Sequence, residues 1–318
     1  MNAQSASDVI LYQPQNALRL HYPEEFDKRH PVGDNPPPGA MIDYYLKTAP
    51  KDEVSLDILD SSGKVVRHLS SKEKKEPEQP AEWPDRVERV KTIPAKEGMN
   101  RFAWDLRYDD PTQIPGAFYS STGPKGPLAL PGDYQVKLTV GGKSQTTPLH
   151  LTIDPRNKGQ EAALQKQFTL AMQVNDRISQ LHQAVNEIRD LRSQIQNLHK
   201  RFGDDQSLKP ALAAADVLDQ KMSDVEQKLI QVNMKGSEAN LAFPNMLNER
   251  FDTFSHLIEA GDDEPTKPQL EAFQMLGSQL DEQLKKWAQV KQEDVAKVTE
   301  LVKQANLPAL IVTEKKSY

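Results

Sequence analysis

The chain has 318 residues, 37% hydrophobic and 27% charged, with a formal net charge of -6 and no cysteine. No basic run dominates and no apolar stretch reaches about 18 residues, so neither nucleic acid binding nor a membrane-spanning helix is expected. The missing cysteine excludes disulfides, thiolate metal sites and cysteine nucleophiles. About two domains fit this length. The start, Met1 to Asp8, is polar and lacks the apolar core of a signal peptide. It fits either a cytoplasmic protein or a mature fragment restarted with Met. Eighteen of the 23 prolines and ten of the 15 glycines lie at or before Pro155. Strands and turns are therefore expected before that point and helices after it, with the boundary at Asp154-Pro155-Arg156-Asn157-Lys158-Gly159.

In chain order, 8–20 is weakly patterned and fits an edge strand, and 21–39 reads as loop. Ala40 to Leu46 is β-branched and aromatic between turn signals, which predicts a strand. Val54, Leu56 and Ile58 alternate with polar residues, turn at Asp60-Ser61-Ser62-Gly63, and return through Val65 to Leu69. The stretch 70–85 is rich in Lys, Glu and Pro and reads as an exposed excursion. Arg101 to Leu106 places Phe102, Trp104 and Leu106 on one face. A long connection follows from Tyr108 to Pro131. Tyr134, Val136, Leu138 and Val140 alternate, Gly141-Gly142 turns the chain, and Leu149, Leu151 and Ile153 close the pair. Seven or so such strands predict an antiparallel β-sandwich of immunoglobulin or fibronectin type III form over residues 1–155.

With Leu164 at position a of a heptad, a reads Leu164, Ala171, Ile178, Val185, Arg192 and His199. Position d reads Val174, Leu181, Ile188, Ile195 and Phe202. The spacing predicts one long helix with a buried stripe, ending at Gly203 in the C′ position. A second seam runs Leu208, Ala211, Ala215, Leu218, Met222, Val225, Leu229 and Val232, with Ser207 as N-cap and Gly236 as the stop. Pro244 opens a short helix in which Leu247, Phe251, Phe254 and Ile258 face inward, stopped by Gly261. Thr266 to Gln269 has capping-box form and starts a last long helix carrying Leu270, Phe273, Gly277, Leu280, Leu284 and Trp287, then Val295, Val298 and Leu301. Three long helices and one short one make an antiparallel bundle over residues 156–318 the economical arrangement. The fold class expected is thus α+β in two parts, sandwich then bundle. Arg192 and His199 interrupt position a. They belong either to a partly solvated end or to a polar contact that fixes helix register.

Chemistry-bearing patterns are sparse. Asp43, Asp105 and Asp133 lie on or beside strands, but no spacing brings two of them to glycosidase separation. Gly261-Asp262-Asp263-Glu264 has hard oxygen ligands without the alternation of a calcium loop. No His-x-x-x-His pair, phosphate-binding Gly-Lys loop or Gly-x-Ser-x-Gly elbow occurs. No catalytic residue, metal or cofactor is therefore expected. Trp83, Tyr108, Phe118 and Tyr119 lie in or beside long loops of the strand part. They form the expected interaction surface, for a sugar ring or a partner domain, or they fold back over the rim of the sandwich.

Several phrases resemble a known family. They are Gly33-Asp34-Asn35-Pro36-Pro37-Pro38-Gly39-Ala40-Met41-Ile42-Asp43-Tyr44-Tyr45-Leu46, Leu56 to Asp60 followed by Gly63 to Arg67, and Gly98-Met99-Asn100-Arg101-Phe102-Ala103-Trp104-Asp105-Leu106-Arg107-Tyr108. Pro131-Gly132-Asp133-Tyr134, Asp154-Pro155-Arg156 and Asn186 to Leu191 follow in the same order. Together they resemble the C-terminal, post-propeller region of bacterial sortilin-like, BNR-repeat proteins, often labelled glycosyl hydrolases. The strand pattern also resembles the immunoglobulin-like domain of flagellar hook-capping proteins. No Ser-x-Asp-x-Gly-x-x-Trp repeat occurs and there are three tryptophans, so the hydrolase label attaches to a propeller outside this chain. The resemblance implies a periplasmic or secreted parent protein.

The function expected is a non-catalytic accessory or scaffold module that mediates domain or protein interaction beside an N-terminal propeller. A carbohydrate-binding or glycoside-hydrolase-associated protein with a site in the strand-part loops is the first alternative. A scaffold self-associating through its long helices is the second.

Overall fold

Alternating apolar residues and tight turns build the first part of this computed structural model, which describes residues 8–20, 38–72, 92–119, 121–236 and 238–305. The strands are β1 (Val9–Leu11), β2 (Ala17–Arg19), β3 (Ala40–Leu46), β4 (Val54–Leu59), β5 (Val65–Ser70), β6 (Gly98–Trp104), β7 (Gly132–Val140) and β8 (Lys143–Ile153). Every second residue of β3 and β4 is buried, from Ala40 to Leu46 and from Val54 to Ile58. Gly141 and Gly142 both take positive φ, 55° and 76°, which turns β7 into β8.

The strands form a three-stranded antiparallel sheet, β1-β3-β6, and a five-stranded sheet, β2-β8-β7-β4-β5. One core of residues from both sheets, including Ile42, Tyr44, Trp104, Leu56, Val136 and Leu149, joins them. This corrects the expected antiparallel sandwich of immunoglobulin or fibronectin type III form. The five-stranded sheet is mixed and curls into a half-barrel. Its β2 runs parallel to β8, with Ala17 opposite Leu151 and Arg19 opposite Ile153. Parallel neighbours need a long crossover, and here the whole chain from β3 to β7 supplies it. The short gap between β1 and β2 sends one three-residue strand to each sheet, so the weakly patterned start serves two edges instead of one.

The helical part fits the expectation. Its helices are α1 (Glu161–Phe202), α2 (Lys209–Leu229), α3 (Leu247–Ile258), α4 (Lys267–Val290) and α5 (Ala296–Gln304). The α1 seam from Leu164 to Phe202 is buried at every apolar a and d position named above. Each such side chain larger than alanine contributes on the order of 1.5–3 kcal/mol by leaving water. Among the described residues no helix is long and apolar enough to cross a membrane.

Several boundaries differ from the sequence reading. Asp205, not Ser207, caps the turn before α2 by accepting the Ser207 backbone N–H at 2.9 Å. The second seam stops at Leu229, and Val232 is exposed beyond it. Met246, not the residue before Pro244, stands at the N-cap of α3, where Glu249 accepts its N–H at 2.8 Å. Gly203 has φ -56°, so it is not a left-handed C′ glycine. A Cβ there would lie 2.8 Å from the His199 carbonyl oxygen, so close approach is what favours glycine.

Arg192 makes a polar contact between helices. Its guanidinium reaches from α1 to Asp219 (2.8 Å), Glu226 (2.5 Å) and Ser223 (3.0 Å) on α2. Burial opposes its charge, but Glu226 and Asp219 prevail and raise its pKa. Arg189 adds a second contact to buried Glu226 at 2.8 Å. His199 lies 2.9 Å from Asp216.

A π-helical segment, Lys291–Val295, joins α4 to α5. It explains the gap of eight between Trp287 and Val295 in the sequence seam. The extra residue lets Val290, Val295 and Val298 stay on one side, against the same core. Deleting Gln292 should close the bulge and leave the seam in phase, with a thermal midpoint within a few degrees of the parent. Deleting Gln279 instead rotates Leu280, Trp287 and Val290 off the seam and should cost about 3 kcal/mol or more. Equal losses in the two deletions, measured by thermal denaturation, would refute this role for the bulge.

Candidate functional site

A dense polar region among the described residues is the joint where the long connection lies on the helices. Leu106 starts it with φ 61°, a left-handed conformation uncommon for leucine, which turns the chain out of β6. Its side chain is buried, and its carbonyl accepts the Ala129 N–H at 2.7 Å, so both ends of the connection are tied together. Gly126 is set against the outgoing arm. A Cβ there would sit 2.1 Å from the Tyr108 carbonyl oxygen, so only glycine fits.

Two polar stripes receive the connection. On α1, Ser179, His182, Asn186 and Arg189 follow one face at helical spacing. Ser179 Oγ accepts the Thr112 N–H at 3.2 Å, and His182 Nδ1 faces the Thr112 carbonyl. Asn186 donates to the Gln113 carbonyl at 2.9 Å, and Arg189 approaches the Pro115 carbonyl at 3.5 Å. Between these contacts Ile114 inserts into the helical core. On α3, Asn248 and Asp252 continue toward Glu259, just past its end. Tyr119 hydroxyl lies 3.3 Å from His182 Nε2 and 3.5 Å from Asn248 Oδ1. Ser121 Oγ donates to Asp252 Oδ2 at 2.6 Å. Glu259 accepts from Arg107 Nη1 at 2.7 Å and from the Leu128 N–H at 2.8 Å. A buried loop must find partners for its backbone, and these side chains are the partners.

The other end of the joint is an ion pair. Arg19 of β2 and Asp262 of the loop between α3 and α4 meet with side-chain exposures of 3% and 4%. Arg19 Nε also donates to the Ala129 carbonyl at 3.0 Å, and Asn157 Nδ2 donates to Asp262 Oδ2 at 2.8 Å. One carboxylate thus ties the mixed sheet, the connection, the linker and the bundle. Gln167, a polar residue at heptad position d, donates to the carbonyls of Ile258 (2.9 Å) and Gly261 (2.6 Å) and so caps the end of α3.

Electrostatics follow the burial. Desolvation pushes the His182 imidazole below its ordinary value, against pulls from Asn248 and Thr112. Burial raises the Tyr119 phenol well above its usual range. His256 on α3 is raised, because Asp252 lies beside it at 3.4 Å. Asp252 sits between Ser121 and His256, so the imidazole does not lie between serine and acid as a serine-hydrolase base does.

The residues expected to form an interaction surface are placed as follows. Tyr119 points into the joint. Tyr108 is partly buried and packs its ring 5.1 Å from Phe168 of α1. Phe118 is half-buried in the same connection. Trp83 lies outside the described residues. Tyr108 and Tyr119 thus lie against helices. Asp43, Asp105 and Asp133 each have separate partners: the Arg101 guanidinium, the Arg107 N–H at 3.2 Å, and His150 at 2.6 Å. The Arg101 hydrogen bond holds Asp43 below the usual carboxylate range. In the acidic loop, Glu264 pairs with Lys166 at 2.6 Å. Among the described residues no group of three or more His, Asp or Glu gathers as a metal site.

Sequence reasoning missed His182, Asn248, Asp252, Glu259 and the Arg19–Asp262 pair. The one signal that could have found part of this set was a buried-type polar residue beside a seam, as with Gln167 at d and His182 next to Leu181. Compared with family models, with curated proteins and with solved structures, the chain finds no match in any of the three.

Proposed function

We propose that the chain is a non-catalytic accessory module of a larger exported protein, in which the strand part and the bundle are held in one fixed relation as a rigid support for a propeller or another protein. The observation that supports this reading is the use made of the connection. Tyr108, Tyr119 and Ser121, in the place where a sugar-binding loop would present such groups to solvent, lie against α1 and α3. Tyr119 is occupied by His182 and Asn248, and Arg107 by Glu259. Side chains held this way set an angle between two bodies better than they grip a mobile ligand.

The test uses the full chain in three assays: turnover on a broad glycoside panel, binding to a glycan array, and binding to the propeller of the parent protein expressed separately. The reading expects silence in the first two and saturable binding in the third. Turnover or glycan binding that is lost on Tyr119→Phe or Asp252→Asn, in a variant that still folds, would replace it with a carbohydrate-directed function. Failure to bind the propeller would remove the propeller as the partner.

A further inference from the structure

Three fully or nearly fully buried side chains form a hydrogen-bond chain that is one proton short. His182, Asn248 and Glu249 are 0%, 1% and 4% exposed. His182 Nδ1 faces the Thr112 carbonyl, which only accepts, so Nδ1 must carry a hydrogen. His182 Nε2 lies 2.6 Å from Asn248 Oδ1, and Asn248 Nδ2 lies 3.1 Å from Glu249 Oε1. With the amide in this orientation Nε2 also faces an acceptor, and the ring must be a doubly protonated imidazolium. With the amide turned over, the Asn248 amide donates to a neutral ring, but its oxygen then faces Glu249 Oε1. A hydrogen bond between those two oxygens, 3.1 Å apart, then requires a proton on one of them. In either orientation, a chain whose every contact is a hydrogen bond holds one proton more than a neutral histidine and an ionised glutamate supply. The choice of amide orientation, which hydrogen positions decide, moves the proton but does not remove it.

We propose that the His182–Asn248–Glu249 chain binds one proton in the folded protein, and that this proton makes the joint between connection and bundle weaken as pH rises. Groups facing it from each side are Tyr119 from the connection, Asp252 and Glu249 from α3, and Arg189 from α1. The two carboxylates favour a retained positive charge, and burial favours the arrangement with a neutral ring. Tyr119 hydroxyl, 3.3 Å from Nε2, can follow either arrangement by rotating. The inference concerns the joint itself and holds whatever the module supports.

The sign follows from proton counting. Unfolded histidine and glutamate lose their protons near pH 6.5 and 4.3 respectively. Between these values the unfolded pair holds one proton, as the folded chain does, and stability is flat. Above about pH 6.5 the unfolded pair holds none, so the folding equilibrium constant falls by about tenfold per pH unit until the folded chain releases its proton. Glu249→Gln supplies the missing hydrogen as an amide N–H while its oxygen still accepts the Met246 N–H. It should therefore fold and lose this dependence.

The experiment is urea unfolding of the parent and Glu249→Gln at pH 6, 7 and 8. The ratio of their folding constants isolates the chain from His256 and the surface histidines, which both proteins share. A ratio that falls about tenfold per unit from pH 7 to 8 supports the proposal, and parallel curves overturn it. If Glu249→Gln does not fold, the parent alone decides at pH 7.5. Ring 15N NMR showing an imidazolium at His182, or an infrared band of a protonated carboxyl, supports the proposal. The absence of both signals overturns it.

Discussion

Replacing Asp262 with alanine should lower the unfolding free energy by about 3–5 kcal/mol, the range for stripping one partner from a buried ion pair. Arg19 would keep its bond to the Ala129 carbonyl but lose the carboxylate that balances its charge, and Asn157 would lose its acceptor. The double replacement Arg19→Met with Asp262→Leu should recover most of the loss, because no unpaired charge remains in the core. Urea unfolding of the three variants checks this. A loss under about 1 kcal/mol in Asp262→Ala would mean that water reaches the pair and that it ties nothing together.

Phe251→Ala should cost about 3–5 kcal/mol, since the ring is fully buried where α3 meets the bundle core and its removal leaves a cavity. The effect should appear as a lower denaturant midpoint at unchanged slope. Leu241→Ala is the matched control. That residue is 84% exposed and should change stability by no more than about 0.5 kcal/mol. Similar losses at the two positions would contradict the assigned core.

Phe251 also shows what the sequence made legible. Its seam, Leu247, Phe251, Phe254 and Ile258, is a helical period that water alone dictates, and the structure buries all four residues. The same holds for α1 and for the alternation in β3 and β4. The Thr266 capping box is visible because Thr266 and Gln269 satisfy each other locally, with the Thr266 N–H at 2.8 Å from Gln269 Oε1.

What was not legible is what depends on distant partners. Three residues, Ala17 to Arg19, are too few to show a period, and nothing local says that they lie parallel to β8. That single pairing changes the sheet class. The joint was hidden for a related reason. Asn248, Asp252 and His182 look like solvent-facing helix residues, because a helix that faces a polar loop needs the same residue types as one that faces water. The acidic run at Gly261 carries no metal-ligand spacing, and nothing local in it says that Asp262 meets an arginine from β2, 243 positions away. The aromatic residues of the connection left two readings open, an interaction surface or a fold back over the rim, and Tyr108 and Tyr119 lie against helices that nothing in the sequence singles out.

Native-state hydrogen exchange would decide whether the joint makes the strand part and the bundle a single unit. The slowest amides of β4 and β7 and those of α1 and α2 should open with the same free energy and the same urea dependence. Both sets should fall together in Asp262→Ala. Two distinct opening free energies, with Asp262→Ala lowering only one of them, would show two bodies that merely touch.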